Sequence, residues 1–152
     1  MSKVLVITTS LRAKSNSDIL AERLIAGAQD AEHEVEHISL KGKDIRFCIG
    51  CLACQKTQKC VLKDDAVEIA EKVKNADTLV FATPIYYYEM SGQMKTLLDH
   101  LNPLYPLLRK SDRCLLWLQF MGIHKAWQDT RKNGSGTYRL TWGRRCEPDH
   151  FR

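Results

Sequence analysis

Four cysteines lie within thirteen residues of this chain, spaced C-x2-C-x2-C-x5-C at Cys48, Cys51, Cys54 and Cys60. This spacing places four sulfur atoms on one short loop. Four kinds of site use such a loop: an iron–sulfur cluster, a zinc site, a redox thiol switch and a disulfide staple. Choosing among them requires the rest of the sequence.

A second chemically equipped segment is the polar stretch that follows the first apolar run. It carries hydroxyl, amide and guanidinium groups at Ser10, Arg12, Ser15, Asn16 and Ser17. At the start of a helix, these groups and the free backbone N–H groups predict a cradle for phosphate. The segment has neither the glycine-rich dinucleotide fingerprint nor the P-loop lysine pattern, which favours a single terminal phosphate. The alternative is that these residues only cap a helix.

The third segment is Pro84-Ile85-Tyr86-Tyr87-Tyr88, which follows a predicted strand. We expect Pro84 to end that strand, and the aromatic rings and exposed backbone to border a flat heterocycle. The alternative is a surface turn whose tyrosines pack on the protein itself or on another subunit. A neighbouring phosphate cradle favours the cofactor.

Hydrophobic patterning predicts the elements that position these segments. Strands are expected at residues 3–8, 35–40 and 78–83, and a helix follows each of them. This alternation predicts an α/β fold with a doubly wound parallel sheet. In such a sheet, ligands bind beyond the carboxyl ends of the strands, where the two polar loops would meet.

The helices are predicted from their apolar faces and their capping residues. Asp65 and Glu68 predict a capping box at the second helix, and Ser91 predicts the N-cap of the third. The first helix is expected to bury one apolar face, formed by Ile19, Leu20, Leu24, Ile25 and Ala28.

The N-terminal apolar run that follows Lys3 spans about five residues, too few for an export signal or a membrane span. We therefore expect a cytoplasmic protein that has no membrane partner. In that reducing compartment, clustered cysteines more often hold metal or do redox chemistry than form structural disulfides.

Taken together, these segments resemble the NAD(P)H-dependent FMN reductase family, which includes the iron–sulfur flavoproteins. The resemblance rests on Thr83-Pro-Ile-Tyr-Tyr-Tyr-Glu-Met-Ser-Gly-Gln-Met-Lys-Thr-Leu-Leu-Asp99, on Ser10-x-Arg12-x-x-Ser-Asn-Ser17 and on Cys48-x-Gly-Cys51. It covers about residues 3–105 and implies a three-layer, flavodoxin-like fold.

The resemblance also implies the cofactors and the site. FMN would be the bound cofactor and NAD(P)H the electron donor, in a homodimer or homotetramer with the flavin near the subunit interface. The flavin carries the chemistry, so no catalytic acid or base is assigned. The phosphate would be held by Ser10, Arg12, Ser15, Asn16 and Ser17, and the isoalloxazine would lie against Pro84, Ile85, Tyr86, Tyr87 and Tyr88.

The resemblance leaves the cysteines open. The spacing of Cys48, Cys51, Cys54 and Cys60 matches the compact motif of the iron–sulfur subgroup, in which a [4Fe–4S] cluster would pass single electrons to FMN. Plain FMN reductases, however, also carry Cys-x-Gly-Cys followed by Lys-Asp-Asp, which favours free or redox-active thiols. Zinc is a third option, although structural zinc sites usually draw two pairs from separate elements. His100 stands where the family often has arginine.

The sequence changes character after about Tyr105. Residues 1–108 carry 13 basic and 14 acidic residues, whereas residues 109–152 carry 10 basic and 4 acidic residues and all three tryptophans. A basic tail without a nucleic-acid-binding motif predicts no nucleic-acid partner. We expect a flavodoxin-like FMN-binding core at residues 1–105 and an atypical tail at residues 106–152.

Two explanations of the tail stay open. One is an out-of-frame or otherwise altered sequence, which would leave the sheet incomplete or irregular at its C-terminal end. The other is a genuine shortened variant with a fourth and a fifth strand at residues 114–120 and 138–142. Translation of the downstream gene in the other two frames separates them, because only the first explanation expects a family-like ending there.

Three functions follow. The first is an FMN-dependent oxidoreductase that transfers electrons from NAD(P)H to a flavin, a quinone or a similar acceptor. The second is an iron–sulfur flavoprotein that carries electrons between protein partners. The third is a degenerate, non-catalytic flavodoxin-like domain impaired by its tail.

Overall fold

A computed structural model describes residues 1–106 and 114–120 of the chain. The elements are β1 (Lys3–Thr8), α1 (Asn16–Asp30), β2 (Glu34–Ser39), α2 (Ala53–Thr57), α3 (Asp65–Asn75), β3 (Thr78–Tyr86), β4 (Glu89–Met90), α4 (Gly92–His100), a 3-10 turn (Asn102–Leu104) and β5 (Cys114–Phe120). The strands run parallel in the order β2–β1–β3–β5, and β4 pairs antiparallel with the end of β3.

The sheet is buried on both faces, which explains its apolar strands. In β1, Val4 and Val6 pack in the cluster that includes Ala21 of α1, whereas Leu5 and Ile7 pack in the cluster that α3 and α4 cover. Alternate residues of a strand face opposite sides, so a strand covered on both sides is apolar throughout. The three-layer, doubly wound arrangement predicted from the sequence is confirmed.

The strand predicted at residues 114–120 is confirmed as β5. It runs parallel to β3, from the pair Thr78 and Cys114 to the pair Pro84 and Phe120. Leu115 packs on the cluster beneath α3 and α4, and Leu118 packs on the cluster beneath α1. The strand predicted at residues 138–142 lies outside the described residues, and the division into core and tail stays a prediction.

The face that α1 turns to the sheet differs from the predicted one. Ile19 and Leu20 are 46% and 41% exposed, whereas Ser17, Ala21 and Ala28 are buried. A helix turns by about 100° per residue, so the line that runs through Ser17 and Ala21 leaves Ile19 and Leu20 on the outer flank. The rest of the predicted face is confirmed, since Ala28 is buried and Leu24 and Ile25 are partly buried against the sheet.

The predicted capping box at the start of α3 is wrong. The N-cap is Asp64, whose carboxylate accepts the N–H of the second helical residue at 3.1 Å and that of Arg46 at 3.0 Å. Asp65 is already helical, and its carboxylate accepts the N–H of Asp44 at 2.8 Å. The two acids therefore attach the helix to the segment that leads into the cysteines.

Pro84 does not end the third strand, contrary to expectation, because β3 continues to Tyr86. Proline lacks an N–H, so it is tolerated where no ladder partner faces that position. The carbonyl of Ala82 accepts the N–H of Thr9, and the ladder with β1 ends at the pair Thr8 and Ala82. The backbone of Pro84, two residues after Ala82, faces the same side of β3, where β1 has already ended. The missing N–H of Pro84 therefore costs no hydrogen bond with β1.

Three buried hydroxyl groups connect β1, β3 and α4, and we call them the hydroxyl triangle: Thr9, Thr83 and Ser91. Thr9 Oγ1 donates to Thr83 Oγ1 at 3.0 Å, Thr83 Oγ1 donates to Ser91 Oγ at 3.2 Å, and Ser91 Oγ donates to Thr9 Oγ1 at 2.9 Å. The N–H of Ser91 donates to Thr83 Oγ1 at 3.1 Å, and Ser91 Oγ caps α4 as predicted.

No helix in the described ranges, residues 1–106 and 114–120, is long and apolar enough to cross a membrane.

The hydroxyl triangle gives a stability prediction. Thr83→Val removes the contacts of this hydroxyl with Thr9, with Ser91 Oγ and with the carbonyl of Pro84. It also leaves the buried N–H of Ser91 without its acceptor, so we expect a loss of about 1–3 kcal/mol of unfolding free energy. Thr96→Val is the matched control, because among the described residues its hydroxyl bonds only the exposed carbonyl of Gly92. Urea unfolding of both variants checks this, and equal losses would contradict it.

Candidate functional site

The predicted phosphate cradle lies between β1 and α1. Its serines are buried, whereas Arg12 and Asn16 are exposed. Ser15 is the N-cap of α1, and its hydroxyl accepts the N–H of Asp18 at 3.1 Å and lies 2.9 Å from the hydroxyl of Ser17. The helix-capping alternative is therefore realised by Ser15.

Groups suited to an anion remain in this loop after capping. Within residues 1–106 and 114–120, no hydrogen bond uses the backbone N–H of Asn16 or Ser17, and no ion pair uses the guanidinium of Arg12. Free N–H groups at the start of a fifteen-residue helix and a nearby cation favour a negatively charged ligand. The donor set therefore fits a phosphate.

The second predicted loop is the hairpin turn between β3 and β4. Tyr86 pairs with Glu89, so Tyr87 and Tyr88 form a two-residue turn. Both have positive φ angles, 47° and 68°, as the type I′ turn requires. A non-glycine residue in the left-handed region costs roughly 1–2 kcal/mol, and such strain is often found at functional sites.

The residues of this turn differ in exposure. Ile85 is buried in the protein, whereas Tyr86, Tyr87 and Tyr88 are exposed. Tyr87 is 96% exposed, and its ring meets that of Tyr88 edge-on, with 5.9 Å between the ring centroids. The turn therefore presents aromatic surface beyond the end of β3.

The hydroxyl triangle brings these two loops together. Thr9 directly precedes the cradle, Thr83 directly precedes Pro84, and their hydroxyl groups are hydrogen-bonded. Because β1 and β3 are adjacent and parallel, both loops leave the same edge of the sheet. The adjacency predicted from the sequence is therefore present.

The four cysteines also come together. They line one pocket, called here the cysteine pocket, with His100 and residues such as Gly50, Leu52, Asp99 and Pro103. Cys48 and Cys51 are exposed, Cys54 and Cys60 are half-buried, and all four are free thiols. Phe47 and Ile49, on either side of Cys48, are 81% and 67% exposed.

The sulfur atoms influence one another electrostatically. Burial, followed by the nearby Cys51, raises the pKa of the Cys54 thiol, and Cys60 and Cys48 add to the rise. In the described part of the chain, no three His, Cys, Asp or Glu side chains are close enough together to hold a metal ion. Four thiols could in principle serve as ligands of an iron–sulfur cluster or of zinc, but the sulfur atoms in the described part of the chain are not arranged as a metal site.

Sequence reasoning missed the role of His100 in this pocket. The side chain is only 2% exposed, and Nε2 lies 2.7 Å from the carbonyl of Arg46, while Nδ1 lies 3.7 Å from Cys60 Sγ. One signal was available, because His100 shares the buried face of α4 with Met94 and Leu97 at three-residue spacing.

Comparison with known proteins agrees with this fold. The family model for NADPH-dependent FMN reductase matches residues 2–116. An iron-sulfur flavoprotein of Methanocaldococcus jannaschii is 36% identical over 102 residues, which are 67% of this chain and 53% of that protein. One from Archaeoglobus fulgidus is 31% identical over 101 residues, 66% of this chain and 46% of that protein.

A solved structure is similar as well. The NAD(P)H:quinone oxidoreductase from Methanothermobacter marburgensis superposes with a TM-score of 0.62 at 18% identity, covering 85% of this chain and 70% of that one. The chain spans about half the length of the curated relatives it matches. Since the family model matches most of its length, the chain belongs to the NADPH-dependent FMN reductase family and has that family's flavodoxin-like fold.

Proposed function

We propose that this protein is an FMN-dependent oxidoreductase that takes electrons from NAD(P)H and passes them to a flavin, a quinone or a similar acceptor. The observation that carries the proposal is the phosphate cradle beside the tyrosine turn, at one edge of an FMN reductase fold. When bound, FMN would supply the hydride and electron transfer. The protein's own residues would bind and orient it.

The cradle would hold the phosphate through two kinds of contact. The N–H groups at the start of α1 and the hydroxyls of Ser10, Ser15 and Ser17 would donate hydrogen bonds, joined by the amide of Asn16. Arg12 is exposed and has no ion-pair partner among the described residues, so its guanidinium would neutralise the phosphate charge. The buried serines give this loop a fixed shape before the ligand arrives.

The tyrosine turn would support the flavin ring. Pro84 and buried Ile85 fix the direction of the loop, while Tyr86, Tyr87 and Tyr88 offer exposed rings and backbone to a flat heterocycle. No side chain here is needed as an acid or a base, so we assign no catalytic residue.

The same exposed surface supports a proposed assembly. Exposed aromatic groups at a turn are unusual unless a ligand or another subunit covers them, which is consistent with a homodimer or homotetramer in which the flavin lies near the interface. A reducing compartment such as the cytoplasm would keep the clustered cysteines available for redox chemistry or for a cluster.

The phosphate contact gives the first functional prediction. Arg12→Gln removes the cradle's cation, so FMN affinity should fall by about tenfold to a hundredfold. Riboflavin affinity should change little, because riboflavin lacks the phosphate. Arg23→Gln removes an equal, exposed charge further along α1 and should leave both affinities unchanged. Flavin fluorescence titrations measure all of these, and an equal loss for riboflavin would refute the assigned role of Arg12.

The strained turn gives the second prediction. Replacing Tyr87 with Asn and Tyr88 with Gly supplies the sequence that a type I′ turn prefers, so the flavin-free protein should gain about 1–2 kcal/mol of stability. FMN affinity should fall by about tenfold, since one aromatic contact contributes on the order of 1 kcal/mol. The matched control, Tyr87→Phe with Tyr88→Phe, keeps rings and strain. Reduced stability with unchanged FMN affinity in the Asn-Gly variant would contradict the prediction.

A second candidate function is that of an iron–sulfur flavoprotein electron carrier with a [4Fe–4S] cluster on the four clustered cysteines. It is favoured by the convergence of their thiols on one pocket and by the names of the two relatives above. In this function, reduced ferredoxin-like proteins would replace NAD(P)H as partners.

One reconstitution separates the candidates. Anaerobically reconstituted protein is analysed for iron and titrated with NAD(P)H and then with reduced ferredoxin. If bound FMN is bleached by NAD(P)H, the oxidoreductase is supported; if it is bleached only by ferredoxin, the carrier is supported. A cluster should bind about four iron atoms per chain, lost in Cys51→Ser but kept in Cys146→Ser, outside the loop. Failure to retain FMN would contradict both candidates and leave a degenerate domain.

A further inference from the structure

We propose that His100 is a positioning residue that holds Cys60 against the wall of the cysteine pocket and closes the loop that carries all four thiols. This inference extends the cysteine chemistry of the proposed function, but its test requires neither flavin nor iron. It rests on contacts of one buried imidazole with both ends of the loop.

The first contact fixes the ring. Nε2 of His100 lies 2.7 Å from the carbonyl oxygen of Arg46, two residues before the first cysteine. A carbonyl oxygen can only accept a hydrogen bond, so Nε2 must carry the proton. The imidazole is therefore held in one orientation and one tautomer, as a second hydrogen bond often does for functional histidines.

The second contact reaches the last cysteine. In the neutral ring, Nδ1 has only a lone pair, and it lies 3.7 Å from Cys60 Sγ. The S–H of Cys60 can donate to this nitrogen, which directs the sulfur toward the buried ring. The other three cysteines have no such partner among the described side chains. Cys60 is therefore distinguished from the rest of the pocket.

Asp64 completes the closure of the loop. One carboxylate oxygen accepts the N–H of Arg46 at 3.0 Å, and the other lies 4.0 Å from Nδ1 of His100, with both side chains almost fully buried. The peptide groups on both sides of Arg46 are thus held, its N–H by Asp64 and its carbonyl by His100. The Arg46 guanidinium also donates to the carbonyl of Lys63, just after the loop, at 3.3 Å.

The consequence is a loop that is held at both ends and has two exposed thiols between them. Cys60 is the fixed sulfur, while Cys48 and Cys51 are exposed. His100 is also the last residue of α4, whose first turn is capped by the hydroxyl triangle. At about 1.5 Å per residue, this nine-residue helix separates the two positions by roughly 13 Å. The imidazole thus attaches the cysteine pocket to α4, the helix that follows the tyrosine turn.

The test compares the alkylation rate of each cysteine in the folded, reduced protein, by iodoacetamide labelling and peptide mass spectrometry. In His100→Leu, Cys60 should react about tenfold faster, whereas Cys48 and Cys51 should stay within about twofold of wild type. His100→Asn places an amide oxygen near the position of Nδ1 and should restore most of the protection. Asp99→Leu is the matched control, since Asp99 also lines the pocket but pairs with Lys95.

Each outcome decides the proposal. An unchanged Cys60 rate in His100→Leu overturns it, and so does an equal rise at all four cysteines, which would mean that the imidazole only supports the fold. If His100→Leu does not fold, the ring ¹⁵N spectrum of the wild type decides: a proton on Nε2 with an unprotonated Nδ1 supports the proposal, and a proton on Nδ1 overturns it. Loss of FMN or iron binding with this labelling pattern intact would count against the proposed function and not against this inference.

Discussion

The buried hydrogen bonds among Thr9, Thr83 and Ser91 fix the end of β1, the strand β3 and the start of α4 relative to one another. Thr9 directly follows β1, Thr83 lies within β3, and Ser91 is the N-cap of α4. Hydrogen bonds that water cannot reach are costly to break, so these three positions act as one unit. Because Thr9 directly precedes the cradle and Thr83 directly precedes Pro84, these bonds hold both candidate cofactor loops at fixed positions relative to each other.

The strands and the topology were predictable from the sequence, since a parallel sheet covered on both faces needs long apolar runs such as Val4–Ile7. The cap at Ser91 was predictable for a local reason, because capping depends on neighbouring residues. Pro84 was not, since its tolerance in β3 depends on where β1 ends. A local sequence pattern indicates which secondary structure a segment prefers. It does not indicate which backbone groups will have no hydrogen-bond partner on the neighbouring strand.

In the candidate site, too, local features were predictable from the sequence and long-range contacts were not. The residues of the cradle and of the tyrosine turn stand in short contiguous motifs, so the sequence predicted that the two loops are adjacent, and their role in binding a cofactor stays a prediction. His100 escaped it because its partners, Arg46 and Cys60, are 54 and 40 residues away along the chain. The capping role of Asp64, in place of Asp65, likewise depends on the returning backbone near Arg46. Long-range contacts of single polar residues leave little trace in the spacing of a sequence.

The exposed apolar residues at the start of the cysteine loop would affect the apparent molecular size of the purified protein. Cys48 stands between Phe47 and Ile49, two large apolar side chains that face water. Were apolar contact to bring two such loops together, the thiol at the point of contact could form an intermolecular disulfide when air oxidises the sample. The apparent size of the purified protein would then depend on reductant and age. A covalent dimer formed in this way would be an artefact of storage, distinct from any dimer that binds flavin.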